Sequence, residues 1–184
     1  MRLPNNLKKI RLTSNAFLAL VIIAAVSLFV VLLLLIKPAS VPNASDELLA
    51  LSSSVRKYYQ KQMDYRGLNT SLAVEKGIVP KKLVHSKKIF SINGSEIILG
   101  ADVRGSTIPP FVATFGVTYK NLDAKKCQNL LSSNFEASSG LSDITLLNDK
   151  TIIFTYGGQY PLPVSQKDAK KYCTTKNTIM FTFE

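Results

Sequence analysis

The residues able to do nucleophilic or acid–base chemistry are few. The one histidine, His85, lies beside Ser86, but a catalytic triad needs a nucleophile, a base and an orienting group that the fold brings together. The sequence contains no nucleophile elbow, zinc-protease helix, phosphate-binding loop or dinucleotide-binding motif. We therefore predict a protein that is not an enzyme, with no catalytic residue and no cofactor. A membrane-tethered enzyme using His85 or a pair of carboxylates is the less favoured alternative.

The densest run of positive charge is the segment 81–88, which surrounds His85. Its basic residues are Lys81, Lys82, Lys87 and Lys88. With the nearby Phe90, this run is a candidate patch for nucleic acid or for anionic lipid headgroups. The alternative is a solvated loop, and the nucleic-acid interpretation has weak support.

A long apolar segment lies near the start of the sequence, and it would determine where the rest of the chain is located. Residues 16–36 are 21 residues of Ala, Val, Leu, Ile and Phe, interrupted by Ser27. As a helix they would span roughly 31 Å, the thickness of a hydrocarbon core. The segment is longer than the apolar region of a cleaved signal peptide, which is about 7–15 residues. It predicts a retained transmembrane helix in the lipid bilayer.

The charge distribution orients this helix and divides the chain. The net charge is +11, and the four bases that precede residue 16 are not balanced by any acid. The positive-inside rule therefore places residues 1–15 in the cytoplasm as a basic leader or tail, and residues 37–184 outside. The outer domain carries 19 bases and 12 acids, so it is moderately basic.

The cysteines are informative because of this compartment. Two cysteines and one histidine are too few for most multi-ligand metal sites, so no metal is predicted. Outside the cytoplasm, a disulfide between Cys127 and Cys173 is expected. The alternative is two free thiols, one of them reactive.

The outer domain has the patterns of one helix followed by a sheet. Leu48, Leu51 and Val55 begin an apolar stripe at helical spacing, which predicts an amphipathic helix over 48–63 capped by Ser45 or Asp46. Asn93-Gly94 predicts a hairpin. Strands are expected at 88–92, 96–99, 111–119, 144–147, 151–156 and 178–183, and short helices at 124–131 and 166–172. The expected fold class is α+β, with the amphipathic helix packed on a mostly antiparallel sheet.

This order of parts resembles the type IV pilin superfamily, and within it the type IVb, PilS-like pilins. The segment 55–68, VRKYYQKQMDYRGL, resembles the end of the pilin helix, and 118–131, TYKNLDAKKCQNLL, resembles the short helix that carries the first cysteine. Cys173 matches the second cysteine of the family. The resemblance implies a kinked N-terminal helix that continues into a pilin-like α+β head.

The start of the apolar segment both matches and departs from the family. Prepilins are cut between a small and a hydrophobic residue, so the resemblance implies processing between Ala16 and Phe17. Counted from Phe17, the fifth residue is Val21, where the family normally has glutamate. That glutamate pairs with the terminal amine of a neighbouring subunit, and Val21 lacks a charge for this pairing. The departure favours a minor subunit or pseudopilin over a major one.

The resemblance implies assembly rather than catalysis. The expected function is that of a single-pass component of a pilus, secretion or conjugation apparatus in the bacterial inner membrane. Its partners would be other pilin-like or assembly subunits, in an oligomer or larger complex, and its head would lie in the periplasm or in an extracellular pilus. The alternative is a single-pass adhesin or receptor with a ligand-binding head.

Overall fold

The computed structural model describes residues 22, 27, 43–62, 64–102, 112–135 and 139–184. Ile22 and Ser27 are helical. The rest of the predicted span 16–36 lies outside the described residues, as do the Ala16–Phe17 junction and Val21. Within the described ranges, no helix combines the length and the apolar character needed to cross a membrane.

The elements described below belong to the unit Pro42–Glu184. Its helices are α1 (Ala44–Tyr59), α2 (Thr70–Glu75), α3 (Ala124–Leu131) and α4 (Gln166–Tyr172), with one 3-10 turn at Lys81–Leu83. Its strands are β1 (Val84–His85), β2 (Lys88–Phe90), β3 (Glu96–Asp102), β4 (Thr114–Leu122), β5 (Leu141–Leu147), β6 (Thr151–Thr155) and β7 (Asn177–Phe183). This is the expected α+β fold.

The described strands form one seven-stranded sheet in the order β1-β2-β3-β4-β7-β5-β6. Every neighbouring pair of strands is antiparallel. The central position of β7 is the main departure from sequence order, because this strand comes last in the chain but lies between β4 and β5. It joins a first half, β1 to β4, to a second half made of β5 and β6.

Helix α1 begins where Asn43 caps it. The Asn43 side chain accepts a hydrogen bond from the backbone N–H of Asp46 at 2.9 Å, which satisfies one of the donors that a helix leaves free at its start. The predicted caps, Ser45 and Asp46, were wrong, because both residues lie inside the first turn. The helix ends at Tyr59 rather than near residue 63.

The core lies between α1 and the sheet. Leu48, Leu51 and Val55 are 0–1% exposed, and they share one apolar cluster with sheet residues such as Phe115 and Phe181. Burying an aliphatic or aromatic side chain of this size is worth about 1.5–3 kcal/mol. The predicted amphipathic stripe is therefore the face by which α1 packs on the sheet.

One carboxylate is buried on this apolar face of α1. Glu47 is 7% exposed. Its two oxygens accept hydrogen bonds from the backbone N–H of Ile92 at 2.7 Å and from the Tyr119 hydroxyl at 3.2 Å. A buried charge is costly unless hydrogen bonds compensate it. Glu47 therefore links the start of α1 to the turn between β2 and β3 and also to strand β4.

We expect Glu47→Ala to destabilise the protein by about 1–3 kcal/mol, because it leaves the Ile92 N–H and the Tyr119 hydroxyl without their acceptor. Asp46→Ala is the matched control, since Asp46 is exposed in the same turn. Urea unfolding of the two variants measures the difference. An equal loss of stability in both would show that the Glu47 contacts contribute nothing.

The same contact predicts how stability depends on alkaline pH. Burial raises the pKa of Tyr119 well above the usual 10.0, and the Glu47 charge and hydrogen bond raise it further. The unfolded chain therefore loses this proton first, so stability present below pH 10 is lost as the pH rises above it. We expect Tyr119→Phe to flatten the fall in the unfolding midpoint between about pH 9 and about pH 11. An unchanged slope would contradict the assignment to Tyr119.

Candidate functional site: the disulfide-bounded region and the basic hairpin

A disulfide joins two short helices, α3 and α4. Cys127 is fully buried on α3, and Cys173 directly follows α4, with 5.9 Å between their Cα atoms. Asp123 caps α3 and Ser165 caps α4, each through its side chain. The bond closes 46 residues of sequence separation, which in the chain-entropy model stabilises the fold by roughly 4 kcal/mol. The bond bounds residues 127–173, here called the disulfide-bounded region, which contains β5 and β6.

A buried asparagine fastens this region to the centre of the sheet. Asn177, the first residue of β7, is 1% exposed. Its amide nitrogen donates to the carbonyl oxygens of Leu122 at 3.0 Å and Thr174 at 2.7 Å. Its amide oxygen accepts from the Thr174 N–H at 2.8 Å, and the Asn148 amide reaches both this oxygen and the Tyr172 carbonyl. The ends of β4, β5 and α4 therefore meet at one residue.

Sequence reasoning gave no sign of this role for Asn177. A polar residue at the start of a strand normally faces solvent, and the predicted strand began one residue later, at 178. The hydrogen-bond partners of Asn177 are 3 to 55 residues away along the chain, so no local sequence pattern marks this residue. Its role became visible only when the fold brought these partners together.

Three aromatic rings of the disulfide-bounded region pack against one another as part of the single apolar core. The rings of Phe154, Tyr160 and Tyr172 lie 5.7–6.1 Å apart in edge-to-face pairs. Such pairs add about 0.5–1.5 kcal/mol beyond the area that they bury. A turn that contains Gly157 follows β6, and Leu162-Pro163 is a cis peptide bond. Tyr160 packs this loop back onto β6 and α4.

The basic run 81–88 forms the hairpin at one edge of the sheet. Lys81 and Lys82 lie in the 3-10 turn, Lys87 in the turn between β1 and β2, and Lys88 on β2, and all four are exposed. Lys88 forms an ion pair with Glu96 of β3 at 3.1 Å. The hairpin is held down by Leu83 and Ile89, which are buried. The four lysines of the candidate patch therefore lie on a 3-10 turn and a β-hairpin. Their binding of nucleic acid or lipid headgroups stays a prediction.

The histidine of this hairpin is placed at the surface. His85 is exposed on β1, and its ring lies 6.2 Å from that of Phe90. Ser86 occupies the adjoining turn with a positive φ of 48°. In the ranges that the structure covers, no group of three or more His, Cys, Asp or Glu residues is arranged to hold a metal ion.

We expect Asn177→Ala to destabilise the head by at least about 2 kcal/mol, because it leaves several buried backbone groups without partners. Asn129→Ala is the matched control, since Asn129 is exposed on α3. Thermal unfolding of both variants under non-reducing conditions gives the comparison. A loss of stability no greater than that of the control would refute the role of Asn177.

Comparison with known proteins identifies the family. The family model described as PilS N terminal matches residues 39–184, and no curated protein gives a significant match. The structure is similar to TcpA, a type IV pilin from Vibrio cholerae El Tor biotype, with a TM-score of 0.55, 14% identity and coverage of 77% of this chain and 96% of that one. It is also similar to the type IVb pilin from Salmonella typhi, with a TM-score of 0.53, 18% identity and coverage of 75% and 97%. At these identities, the structures support the fold, and the family model covers most of the chain. The chain therefore belongs to the PilS family and has the type IV pilin fold.

Proposed function

We propose that this protein is a minor pilin or pseudopilin, held in the bacterial inner membrane as a component of a pilus, secretion or conjugation apparatus. The observation that carries the proposal is the match of residues 39–184 to the PilS family, directly after the apolar segment 16–36. Proteins of this fold act by assembling. Such assembly requires the chain to pack its helix against other helices and to form contacts between heads, and it requires no catalytic step.

The apolar segment supports the first of these contacts. A helix of Ala, Val, Leu, Ile and Phe packs equally well against lipid and against other apolar helices, so it can pass between a membrane and a helical filament core. Val21, in place of glutamate, gives the segment no charge to pair with a neighbour. The charge that normally fixes subunit register is then missing. This supports a subunit present at low copy number.

The head has an edge suited to lateral contact. Strand β6 ends the sheet on the side opposite the basic hairpin. Three large apolar side chains are exposed there or on the adjoining strand and turn, with exposed fractions of 38% for Leu147, 46% for Ile153 and 46% for Tyr156. Exposed apolar groups at a sheet edge are typical of contact surfaces. They support a role for this edge in packing against another subunit.

The proposal is tested by the intact mass and N-terminal residue of the protein, taken from native membranes and from the sheared surface fraction. We expect a chain that begins at Phe17, because a prepilin peptidase would cut after Ala16. We expect this chain to be a small fraction of the filament material. Ala16→Arg should abolish cleavage, and Leu12→Arg, which adds the same charge within the leader, should not.

A different result would favour the alternative function. A chain that begins at Met1, remains in the membrane fraction and shows no crosslinks to assembly subunits would contradict the minor-pilin proposal. That combination would identify a single-pass adhesin or receptor with a pilin-like head.

A further inference from the structure

A basic cleft opens where the end of α1 faces the turn after α2. Its volume is about 500 Å³, within the range of small-molecule sites. Three exposed lysines line it, Lys57 and Lys61 from the α1 side and Lys76 from the turn after α2. Tyr58 and Ile78 supply its apolar wall. This basic cleft is separate from the basic hairpin and from the disulfide-bounded region.

The lysines of the basic cleft are placed so that they repel one another. Lys57 and Lys61 are four residues apart, and the αR backbone at Gln60 continues the helical turn between them, so they share one face. Like charges at this spacing destabilise a helix. Lys76, in the turn after α2, adds a third positive charge to the lining of the cleft. A bound anion would relieve this repulsion.

The acidic residues nearest in sequence to the cleft lysines, Glu75 and Asp64, are not lining residues of the basic cleft. Among the described residues, no carboxylate lines the cleft. The nearby Asp64 is bound to Arg66 at 2.7 Å, and the Arg66 hydrogen bonds lower the pKa of Asp64. A cleft walled by one sign of charge focuses its field and concentrates ions of the opposite sign.

The uncharged groups of the basic cleft narrow the class of anion. The N–H groups of Gly77 and Ile78 are used within the chain, since they donate to the carbonyls of Val74 and Ala73. Tyr58 is 38% exposed, and the edge-to-face contact with the buried Tyr59 supports its ring at 5.2 Å. The cleft therefore offers ammonium groups to an anion and a supported aromatic ring to a neighbouring apolar face. A pyranose ring has such a face.

We propose that the basic cleft binds a phosphorylated sugar, with the phosphate among Lys57, Lys61 and Lys76 and the sugar ring against Tyr58. A phosphate monoester carries a charge of about −1.5 to −2 at neutral pH, so it balances three lysines more nearly than a carboxylate does. The volume of the cleft exceeds the needs of inorganic phosphate alone. The same chemistry occurs in a free sugar phosphate and in the phosphorylated sugar headgroup of a glycolipid.

The test is calorimetric titration of the full-length protein in neutral detergent with glucose 1-phosphate, inorganic phosphate and glucose as separate probes. We expect one saturable site for glucose 1-phosphate, and at least about tenfold weaker binding of the other two. The triple variant Lys57→Gln, Lys61→Gln, Lys76→Gln should weaken glucose 1-phosphate binding by about tenfold or more. Tyr58→Ala should weaken glucose 1-phosphate but leave the weak phosphate binding unchanged.

The matched control removes the same charge elsewhere. Lys81→Gln, Lys82→Gln, Lys87→Gln alters the basic hairpin and should bind glucose 1-phosphate as the unaltered protein does. Equal weakening in both triple variants would overturn the proposal, because the effect would then follow net charge. It is also overturned if glucose 1-phosphate does not bind, or if inorganic phosphate binds as tightly and Tyr58→Ala has no effect.

A second arm separates the two sources of the ligand. The protein is mixed with neutral phospholipid vesicles that contain a glycolipid with phosphorylated glucosamine, or the same glycolipid after dephosphorylation. Capture by the phosphorylated vesicles that excess glucose 1-phosphate displaces assigns a lipid headgroup. Binding of glucose 1-phosphate without vesicle capture assigns a free sugar phosphate. Capture that needs no phosphate, or that the Lys57, Lys61, Lys76 triple variant retains, contradicts the proposal.

Discussion

The rest of the head depends on burial of one face of α1 against the sheet. That face is apolar along most of its length, but a polar side chain near each end fixes how the helix sits. Near the start, Glu47 accepts hydrogen bonds from the β2–β3 turn and from β4. Toward the end, Arg56 donates to the carbonyl of Ser139 and lies over the Phe183 ring, 5.8 Å from its centroid. Apolar burial is non-directional, so these two directional contacts set the position of the helix along the sheet.

The two halves of the sheet are specialised around this helix. The first half carries the basic hairpin and packs beside α2, which lies against β2 and β3. The second half is tied together by the disulfide, by Asn177 and by the aromatic group of Phe154, Tyr160 and Tyr172. The second half therefore has its own covalent and polar restraints. Its outer edge at β6 can carry exposed apolar residues while the strands behind it remain fixed.

Features that depend on nearby residues were predictable from the sequence. Helices α3 and α4 have the predicted bounds. Asp123 and Ser165 are residue types that favour the N-cap position, and apolar residues follow each of them at helical spacing. The Asn93-Gly94 hairpin was also predictable, and Gly94 adopts a φ of +76° in the turn. The predicted strand at 88–92 ends at Phe90 because residues 91–95 are taken up by that turn.

Features that depend on distant residues were not predictable. The six-residue helix α2 is too short for a periodic pattern, and the core contact of its Ala73, rather than propensity, explains its stability. Strand β4 begins at Thr114 and extends to Leu122 because pairing with β3 and β7 decides its length. The lysines of the basic cleft were missed for a related reason. The lysines of 81–88 are recognisable because they are neighbours in the chain, whereas Lys57, Lys61 and Lys76 come together only after folding.

The position of β7 has a consequence for the order in which the head can form. This strand supplies partners to β4 on one side and β5 on the other, so the two halves of the sheet remain unconnected until residues 177–183 are present. During synthesis, these residues arrive after all the other described strands. A chain cut short before them would expose the edges of both β4 and β5, and such edges recruit other chains and cause aggregation. The complete sheet can therefore form only after residues 177–183 are present.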